Sequence, residues 1–255
     1  MVLAIDIGNT QIVLGCFEDR TLLFTEQLST SKNSTDLEYA ALLKSAAEFN
    51  GISFDNIDGT IISSVVPQVT DTIRKAVERL SPVKPLIVGP GIKTGLKIKI
   101  DNPAQLGSDL VVSSVASIKE YGVPQISIYM GTATTFSLID KDKNYVGTSI
   151  GAGMGIEAEA LSRSTAQLPN VAFETPKQVI GTNTVDSIKS GLIYQNAALI
   201  DGMIDRIEEE YGSKCVITAT GRYASIVIPL CRHKIHYDKD LLLKGLIEVY
   251  YKNAK

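Results

Sequence analysis

The stretch Val2–Phe17, VLAIDIGNTQIVLGCF, contains two short apolar runs separated by a polar turn. Val2–Ile5 and Ile12–Leu14 are typical of buried β-strands, and Gly8 between them is typical of a hairpin turn. The unusual residue is Asp6, a carboxylate near the end of an apolar strand. Backbone N–H groups of a glycine turn suit phosphate oxygens, and a carboxylate beside them suits Mg²⁺ or its water ligands. The alternative is a hairpin whose polar side chains serve only the turn.

Length and composition narrow the class of protein. The 255 residues are 44% hydrophobic, which is enough for one large domain or two small ones. The net charge of −3 comes without a basic block, so neither nucleic acid nor a membrane surface is an expected partner. Asp6 interrupts the N-terminal apolar run, so a signal peptide is not expected. The 3 widely spaced cysteines are typical of a reduced, cytoplasmic protein.

A second stretch has the same order of features as the first. Ala4–Asn9 and Ser127–Thr132 each combine an apolar strand, a glycine and a small polar residue, and another apolar strand follows each of them. The two stretches lie about half a chain apart, and strands precede helices in both halves. This pattern predicts a duplicated α/β domain with a nucleotide site in the cleft between the copies, although so short a match also fits chance.

The segment between the two halves contains another carboxylate, which has two candidate roles. Asn102 and Pro103 predict the start of a short helical segment, and Gly107-Ser108-Asp109 is expected to break it. A helix is then expected from about Leu110 to Glu120. On the residues alone, Asp109 better fits a first-turn carboxylate that interacts with the dipole of this helix, and a general base is the alternative.

Two other kinds of nucleotide site are disfavoured by their spacing. The glycines that precede Lys93 and Thr94 do not follow the P-loop order, so a P-loop is excluded. Gly151-Ala152-Gly153 fits an anion site at a helix start or a tight turn. A dinucleotide fingerprint needs a third glycine at the position of Ile156, so an oxidoreductase is disfavoured.

Three turns fall in the order found in a known superfamily. Asp6–Thr10, Gly131–Thr135 and Thr220-Gly221 resemble the phosphate-1, phosphate-2 and adenosine turns of the acetate and sugar kinase, Hsp70 and actin superfamily. The closer resemblance is to the type III pantothenate kinase family, whose D-N-P and G-A-D-R motifs are similar to Asp101–Pro103 and Gly107–Leu110. Further matches extend this resemblance over essentially the whole chain.

The resemblance implies a fold, a reaction and an assembly. The implied fold is α/β, with two ribonuclease-H-like (actin-like ATPase) domains, residues 1–117 and 118–255, and an interdomain cleft. The implied reaction is the ATP-dependent phosphorylation of pantothenate to 4′-phosphopantothenate, the first step of coenzyme A biosynthesis. The implied cofactors are Mg²⁺ and a monovalent cation, K⁺ or NH₄⁺, and the implied assembly is a homodimer.

The resemblance also implies roles for individual residues. Asp109 is the implied general base, and Asp6 is the implied residue beside Mg²⁺. The implied ATP-binding residues are Asp6, Ile7, Gly8, Asn9, Thr10, Gln11, Gly131, Thr132 and Gly221. The implied pantothenate-binding residues are Ile100, Gly107, Ser108, Asp109, Leu110 and Thr184. Tyr129 stands at the family's position for the monovalent cation.

Several of these positions depart from the family pattern. Leu110 stands where the family has an arginine that pairs with the carboxylate of pantothenate, and Tyr129 stands where it has an aspartate. Ile100 replaces an aromatic residue, and Arg222 replaces the second glycine of the adenosine turn. Three functions therefore stay open: a pantothenate kinase, a nucleotide-binding or regulatory relative without phosphate transfer, and a kinase for another small alcohol.

Overall fold

The structure, a computed structural model, describes residues 1–254 as two β-sheets with surrounding helices. The strands are β1 Val2–Ile7, β2 Gln11–Glu18, β3 Thr21–Ser29, β4 Gly59–Ser64, β5 Leu86–Ile87, β6 Lys97–Ile98, β7 Gln125–Met130, β8 Ala133–Ile139, β9 Asn144–Ala152, β10 Val216–Thr220 and β11 His236–Tyr237. The helices are α1 Asp36–Phe49, α2 Pro67–Leu80, α3 Ser108–Tyr121, α4 Met154–Ser164, α5 Thr184–Tyr211, α6 Ala224–Val227 and α7 Leu241–Asn253.

The described chain divides into two compact units. The first unit comprises Met1–Leu96, Asn102–Ala116 and the segment from Asp240 onward, and the second comprises Lys97–Asp101 and Ser117–Lys239. The last helix, α7, therefore groups with the first unit, because it packs against β1, β2 and β4. The boundary expected between two ribonuclease-H-like domains, at residues 117/118, stays a prediction.

The first unit is built around β1, in the sheet order β3-β2-β1-β4-β5. β1 is antiparallel to β2 and parallel to β4, with Asp6 opposite Ser63. Leu3, Ile5 and Ile7 belong to the apolar core, which α1 and α2 cover. Because side chains alternate along a strand, Asp6 points to the opposite face of the sheet. The strand VLAIDI is buried on both faces, as a central strand with a parallel neighbour usually is.

The second unit repeats this arrangement around β7, in the sheet order β11-β10-β7-β8-β9-β6. β7 is antiparallel to β8 and parallel to β10, as β1 is to β2 and β4. Ile126, Ile128 and Met130 form its core with residues of α5 and α6. The topology therefore supports duplication, which the short sequence repeat alone left open to chance.

One predicted helix boundary is wrong, and it concerns the candidate site. The sequence predicts a break at Gly107-Ser108-Asp109, whereas α3 already begins at Ser108. The carbonyl of Gly107 accepts the N–H of Val111 at 3.2 Å, so this glycine starts the helix. Asn102 and Pro103 form only the short 3₁₀ turn Pro103–Gln105. Among residues 1–254, no helix combines the length and the apolar character needed to cross a bilayer.

Candidate active site

The turn between β1 and β2 is fastened to the end of β3. The Thr30 hydroxyl donates to the carbonyl of Gly8 at 2.7 Å, and the Thr30 N–H donates to the carbonyl of Thr10 at 3.1 Å. The Gly8 N–H donates to the carbonyl of Gln11 at 3.0 Å, which closes the turn. Asn9 and Thr10 are exposed at its tip. Thr30 was not predicted from the sequence, since a polar residue after a strand is too common to be a signal.

Asp6 lies at the carboxyl end of β1 and is only 3% exposed. The pKa of this carboxyl is raised to about 7, first by burial and second by the nearby charge of Asp109. A hydrogen bond from the hydroxyl of Ser63 acts in the opposite direction and lowers the pKa. The carboxyl therefore gains from any cation that binds beside it, because the cation favours the ionised form.

Asp109 lies in the first turn of α3, where the N–H groups of a helix favour a negative charge. Its Oδ1 accepts the N–H of Leu110 at 2.9 Å. Burial raises the pKa of the Asp109 carboxyl, and the backbone hydrogen bonds from Leu110 and from its own N–H oppose this rise. A Cβ atom on Gly107 would collide with the same Oδ1, so a glycine leaves the room that the carboxylate needs.

The structure thus brings the two predicted acids together within the first unit. Gly107 and Ser108 directly precede Asp109 in the chain, and α3 begins at Ser108. Leu110 is 7% exposed, and its carbonyl accepts the hydroxyls of Ser113 and Ser114 at 3.2 and 2.7 Å. Position 110 therefore offers an apolar side chain with no charge for a carboxylate to pair with.

Three glycine turns of the second unit converge on one another. The N–H of Gly153, which caps α4, donates to the carbonyl of Thr132 at 3.1 Å. A Cβ atom on Gly153 would lie 2.5 Å from that oxygen. Gly221 has φ +107°, and a Cβ atom on it would lie 2.5 Å from the carbonyl oxygen of Met130. The turn at Gly131 and Thr132 thus lies next to Gly221. Gly153 packs closely against the same turn.

Tyr129 fills the position at which the resemblance implies a cation-binding carboxylate. Its ring lies along the next turn, because a Cβ atom on Gly131 would be 3.0 Å from the ring atom Cζ. Its cross-strand neighbours are Thr135 and Thr220, whose buried hydroxyls have no hydrogen-bond partner among the described residues. These three side chains offer neutral oxygens but no carboxylate, so they lack the charged ligand that the resemblance implies at this position.

Two predicted substrate residues lie in the second unit. Ile100 follows β6 and is half-buried, and Thr184 is the exposed first residue of α5. Asn183 caps this helix, and its side chain accepts the N–H of Asp186 at 2.9 Å. An open groove of about 500 Å³ lies beside the same helix end. Its lining residues are Val179, Ile180, Gly181, Ser187, Ser190, Gly191, Tyr194 and Gln195.

Arg222 follows the turn formed by Thr220 and Gly221 and is exposed. Its guanidinium lies 5.6 Å from the centre of the Tyr223 ring, within the range of a cation–π contact. Tyr223 in turn meets Phe173 edge to face at 4.9 Å. The guanidinium of Arg222, which stands where the family has a glycine, is therefore held over the ring of Tyr223.

A cluster of potential metal ligands in the second unit is already occupied by protein contacts. Asp205, Glu208 and His233 bring their ligand atoms within 4.8 Å of one another. However, the Glu208 oxygens bind the ammonium of Lys214 at 2.6 Å and the N–H of Cys215 at 2.9 Å. We therefore assign this cluster a structural role, in which it joins the end of α5 to the neighbouring loops.

Solved structures with low sequence identity share the fold. The (R)-2-hydroxyglutaryl-CoA dehydratase component A from Acidaminococcus fermentans aligns with a TM-score of 0.59 at 12% identity, and 100% of this chain and 99% of that one are covered. The ROK hexokinase from Thermus thermophilus aligns with a TM-score of 0.50 at 13% identity, with 100% and 99% covered. The fold is therefore a two-sheet α/β fold of the actin-like ATPase and sugar-kinase type, as predicted.

Sequence comparison then gives the family. The model of the type III pantothenate kinase family matches residues 2–206. The type III pantothenate kinase of Halalkalibacterium halodurans is 42% identical over 254 residues, and that of Exiguobacterium sp. is 40% identical over 255, with all of both chains covered in each case. This chain belongs to the type III pantothenate kinase family, which confirms the resemblance seen in the motifs.

Proposed function

We propose that this chain transfers the γ-phosphate of ATP to the primary hydroxyl of pantothenate, with Asp109 as the general base. Membership of a pantothenate kinase family supports the substrate and the reaction. The observation that carries the mechanism is the placement of Asp109 in the first turn of α3, within electrostatic range of the buried Asp6. The product, 4′-phosphopantothenate, lies on the route to coenzyme A, and a cytoplasmic location fits that role.

The proposed step transfers one proton and one phosphoryl group. Asp109 accepts the proton of the pantothenate hydroxyl while the oxygen attacks the γ-phosphorus in line. The bond from that phosphorus to the bridging oxygen of ATP breaks, and ADP leaves. A carboxyl whose pKa is raised towards neutral pH suits this role, because it binds the proton more strongly than an ordinary carboxylate.

Asp6 is the proposed protein partner of Mg²⁺. This ion commonly takes one or two carboxylates and completes its shell with water and phosphate oxygens, so a single buried carboxylate at a glycine turn fits it. When bound, Mg²⁺ neutralises charge on the phosphates. The proposed ATP contacts are Ile7, Gly8, Asn9, Thr10, Gln11, Gly131, Thr132 and Gly221. The proposed pantothenate contacts are Ile100, Gly107, Ser108, Leu110 and Thr184.

The test is turnover of the full chain with ATP, Mg²⁺ and pantothenate, with detection of phosphopantothenate by mass spectrometry. Asp109→Asn should lower kcat by at least about 100-fold, because it removes the proton acceptor. The control is Glu120→Gln, which neutralises an exposed carboxylate at the other end of α3. Full activity of the Asp109→Asn variant would refute the assigned base. ATP binding without product, even at high enzyme concentration, would instead favour a nucleotide-binding regulator.

A kinase for a different small alcohol is the second candidate, and the buried Leu110 is the observation that favours it. An apolar residue here cannot pair with the carboxylate of pantothenate. The discriminating substrate is panthenol, in which an alcohol replaces that carboxylate. A higher kcat/KM for panthenol than for pantothenate would support this candidate. Leu110→Arg should then shift the preference towards pantothenate, and an unchanged ratio would count against the argument.

A further inference from the structure

The two acids of the first unit are joined by a bridge of serine hydroxyls. Asp6 and Ser63 are directly opposite each other on the parallel strands β1 and β4, and Ser63 hydrogen-bonds to the Asp6 carboxyl. The Ser63 side chain is fully buried. Its Oγ lies 3.0 Å from the Oγ of Ser108, the residue at the start of α3. The bridge therefore runs from β1 through β4 to the residue that precedes Asp109.

The side chain of Ser108 is held by β4 from three directions. Besides the Ser63 contact, its Oγ accepts the N–H of Ser64 at 3.0 Å and lies 2.9 Å from the carbonyl oxygen of Ser64. These partners occupy the hydroxyl of Ser108 fully. A substrate can therefore contact Ser108 only through its backbone, and the hydroxyl is used to hold Ser108 against β4.

The number of protons fixes the direction of the bridge when Asp6 is ionised. A carboxylate only accepts, so Ser63 uses its single proton to donate to Asp6. The Ser108 hydroxyl then shares its single proton between two acceptors, the Oγ of Ser63 and the carbonyl oxygen of Ser64, while the N–H of Ser64 donates to Ser108. Such a chain of donors strengthens each of its members, because each bond polarises the next.

We propose that Ser63 and Ser108 are positioning residues that hold the Asp6 carboxylate and the first turn of α3, with Asp109, in their working geometry. The inference rests on the proposed function, in which Asp109 accepts a proton beside Mg²⁺ at Asp6. Neither serine touches a reacting atom. Ser108 stands where the family motif G-A-D-R has alanine. The hydroxyl that α3 contributes to the bridge is therefore a feature of this sequence and not of the motif.

The test compares Ser63→Ala, Ser108→Ala and the double variant. Each single variant should lower kcat about tenfold while both KM values change less than about twofold, because alignment is lost but binding is not. The double variant should be no slower than the slower single variant, since both changes break one bridge. Ser63→Thr retains a hydroxyl and should restore most of the rate.

The matched control is Ser117→Ala. Ser117 lies on the same helix as Ser108, is fully buried where Ser108 is half-buried, and also forms a hydroxyl pair, with Thr218 at 2.8 Å. Its loss should leave kcat within about twofold of the wild type. Equal effects of Ser117→Ala and Ser108→Ala, or additive effects of the two bridge variants, would overturn the proposal. Ser108→Ala introduces the residue type of the family motif, so the test does not depend on the Ser63 variants folding.

A second readout separates this inference from the proposed function. The Mg²⁺ concentration that gives half-maximal ATP binding, followed by thermal shift, should rise about fivefold or more in Ser63→Ala and stay unchanged in Ser117→Ala. If the wild type binds ATP but forms no phosphopantothenate, the proposed function fails while this readout still tests the bridge. An unchanged Mg²⁺ requirement in Ser63→Ala would refute the positioning of Asp6 in either case.

Discussion

Asp6, which is buried, and Asp109, which is half-buried, both have raised pKa values, but different neighbours oppose the rise. At Asp6 the opposing group is the hydroxyl of Ser63, and at Asp109 it is the backbone at the start of a helix. Both carboxyls are thus short of positive charge in the unliganded protein. A bound Mg²⁺ ion would supply that charge, so the protein without Mg²⁺ should be less stable when these carboxyl groups are ionised.

Asp6→Asn should stabilise the unliganded protein at alkaline pH. A carboxyl whose folded-state pKa is raised, here to about 7, contributes stability below its unfolded pKa and loses it as the pH rises through the folded value. Each pKa unit corresponds to about 1.4 kcal/mol. We therefore expect the Tm of the variant to rise relative to that of the wild type as the pH increases. The difference in Tm should grow by at least about 4 °C from about pH 5 to about pH 8.

The measurement is thermal unfolding of both proteins in buffer free of magnesium and nucleotide. Asp142→Asn, which changes an exposed carboxylate in the turn between β8 and β9, is the control and should show no such gain. A difference in Tm between Asp6→Asn and wild type that does not change with pH would contradict the prediction.

Tyr129 leads to a prediction about the monovalent cation. A neutral phenol lacks the charge that holds such an ion, and here its ring lies along Gly131. We expect kcat to change by less than about twofold when KCl is replaced by tetramethylammonium chloride at equal ionic strength. Tyr129→Asp should introduce a dependence on K⁺. Strong activation of the wild type by K⁺ or NH₄⁺ would show that other oxygens hold the ion.

Helix α3 illustrates what the sequence alone predicts at the scale of an element. The motif residues Gly107 and Asp109 were identified, but the helix start was not, because Gly-Ser-Asp is a signature of turns and of helix starts alike. Ser63 was missed, since a serine in an apolar strand is by itself no signal of a functional residue. Its signal was a serine in a strand parallel to the one that bears Asp6, and recognising it requires the pairing of β1 with β4.

The start of α4 is an element that even a small side chain should disturb. A Cβ atom on Gly153 would lie 2.5 Å from the carbonyl oxygen of Thr132, which is backbone and cannot rotate away. Gly153→Ala should cost about 1–3 kcal/mol of unfolding free energy, as overpacking usually does. It should also raise the KM for ATP, because it displaces the turn that contains Thr132.

The control for this variant is Gly147→Ala, in β9, where an added Cβ atom meets nothing within 4 Å. Urea unfolding and initial-rate kinetics on both variants measure the two effects. Equal stability and equal KM in the two variants would mean that the second unit absorbs the extra atom, and that the contact does not shape the turn.

At the scale of the whole molecule, the repeated hairpin pattern suggested a duplicated α/β domain, and the family resemblance was needed to predict the architecture. Each sheet has a central strand that is antiparallel to its hairpin partner and parallel to a later strand, and each such hairpin contains a glycine turn. The grouping of α7 with the first unit was not predictable, because its contacts with β1 are distant in sequence and its apolar residues fit any partner.

Exposed apolar residues on the second unit bear on the predicted homodimer. Ile150, Val179 and Ile180 are 66%, 57% and 77% exposed, and the last two line the groove beside α5. The hydroxyl of Ser190 on α5 donates to the carbonyl of Val179, which fixes this segment against the helix. Apolar side chains held in this way on a surface are typical of an interface between subunits.

We therefore expect a solution mass of twice the 27.5 kDa chain mass in light scattering after size exclusion. Ile180→Asp should shift this mass towards that of a monomer, because a charge buried at an interface costs several kcal/mol unless it is paired. Phe49→Asp is the matched control: this side chain is even more exposed, at 91%, but lies on α1 of the first unit. If Phe49→Asp dissociated the dimer and Ile180→Asp left it intact, the interface would lie at α1 instead. A monomeric wild type would remove the homodimer from the proposal.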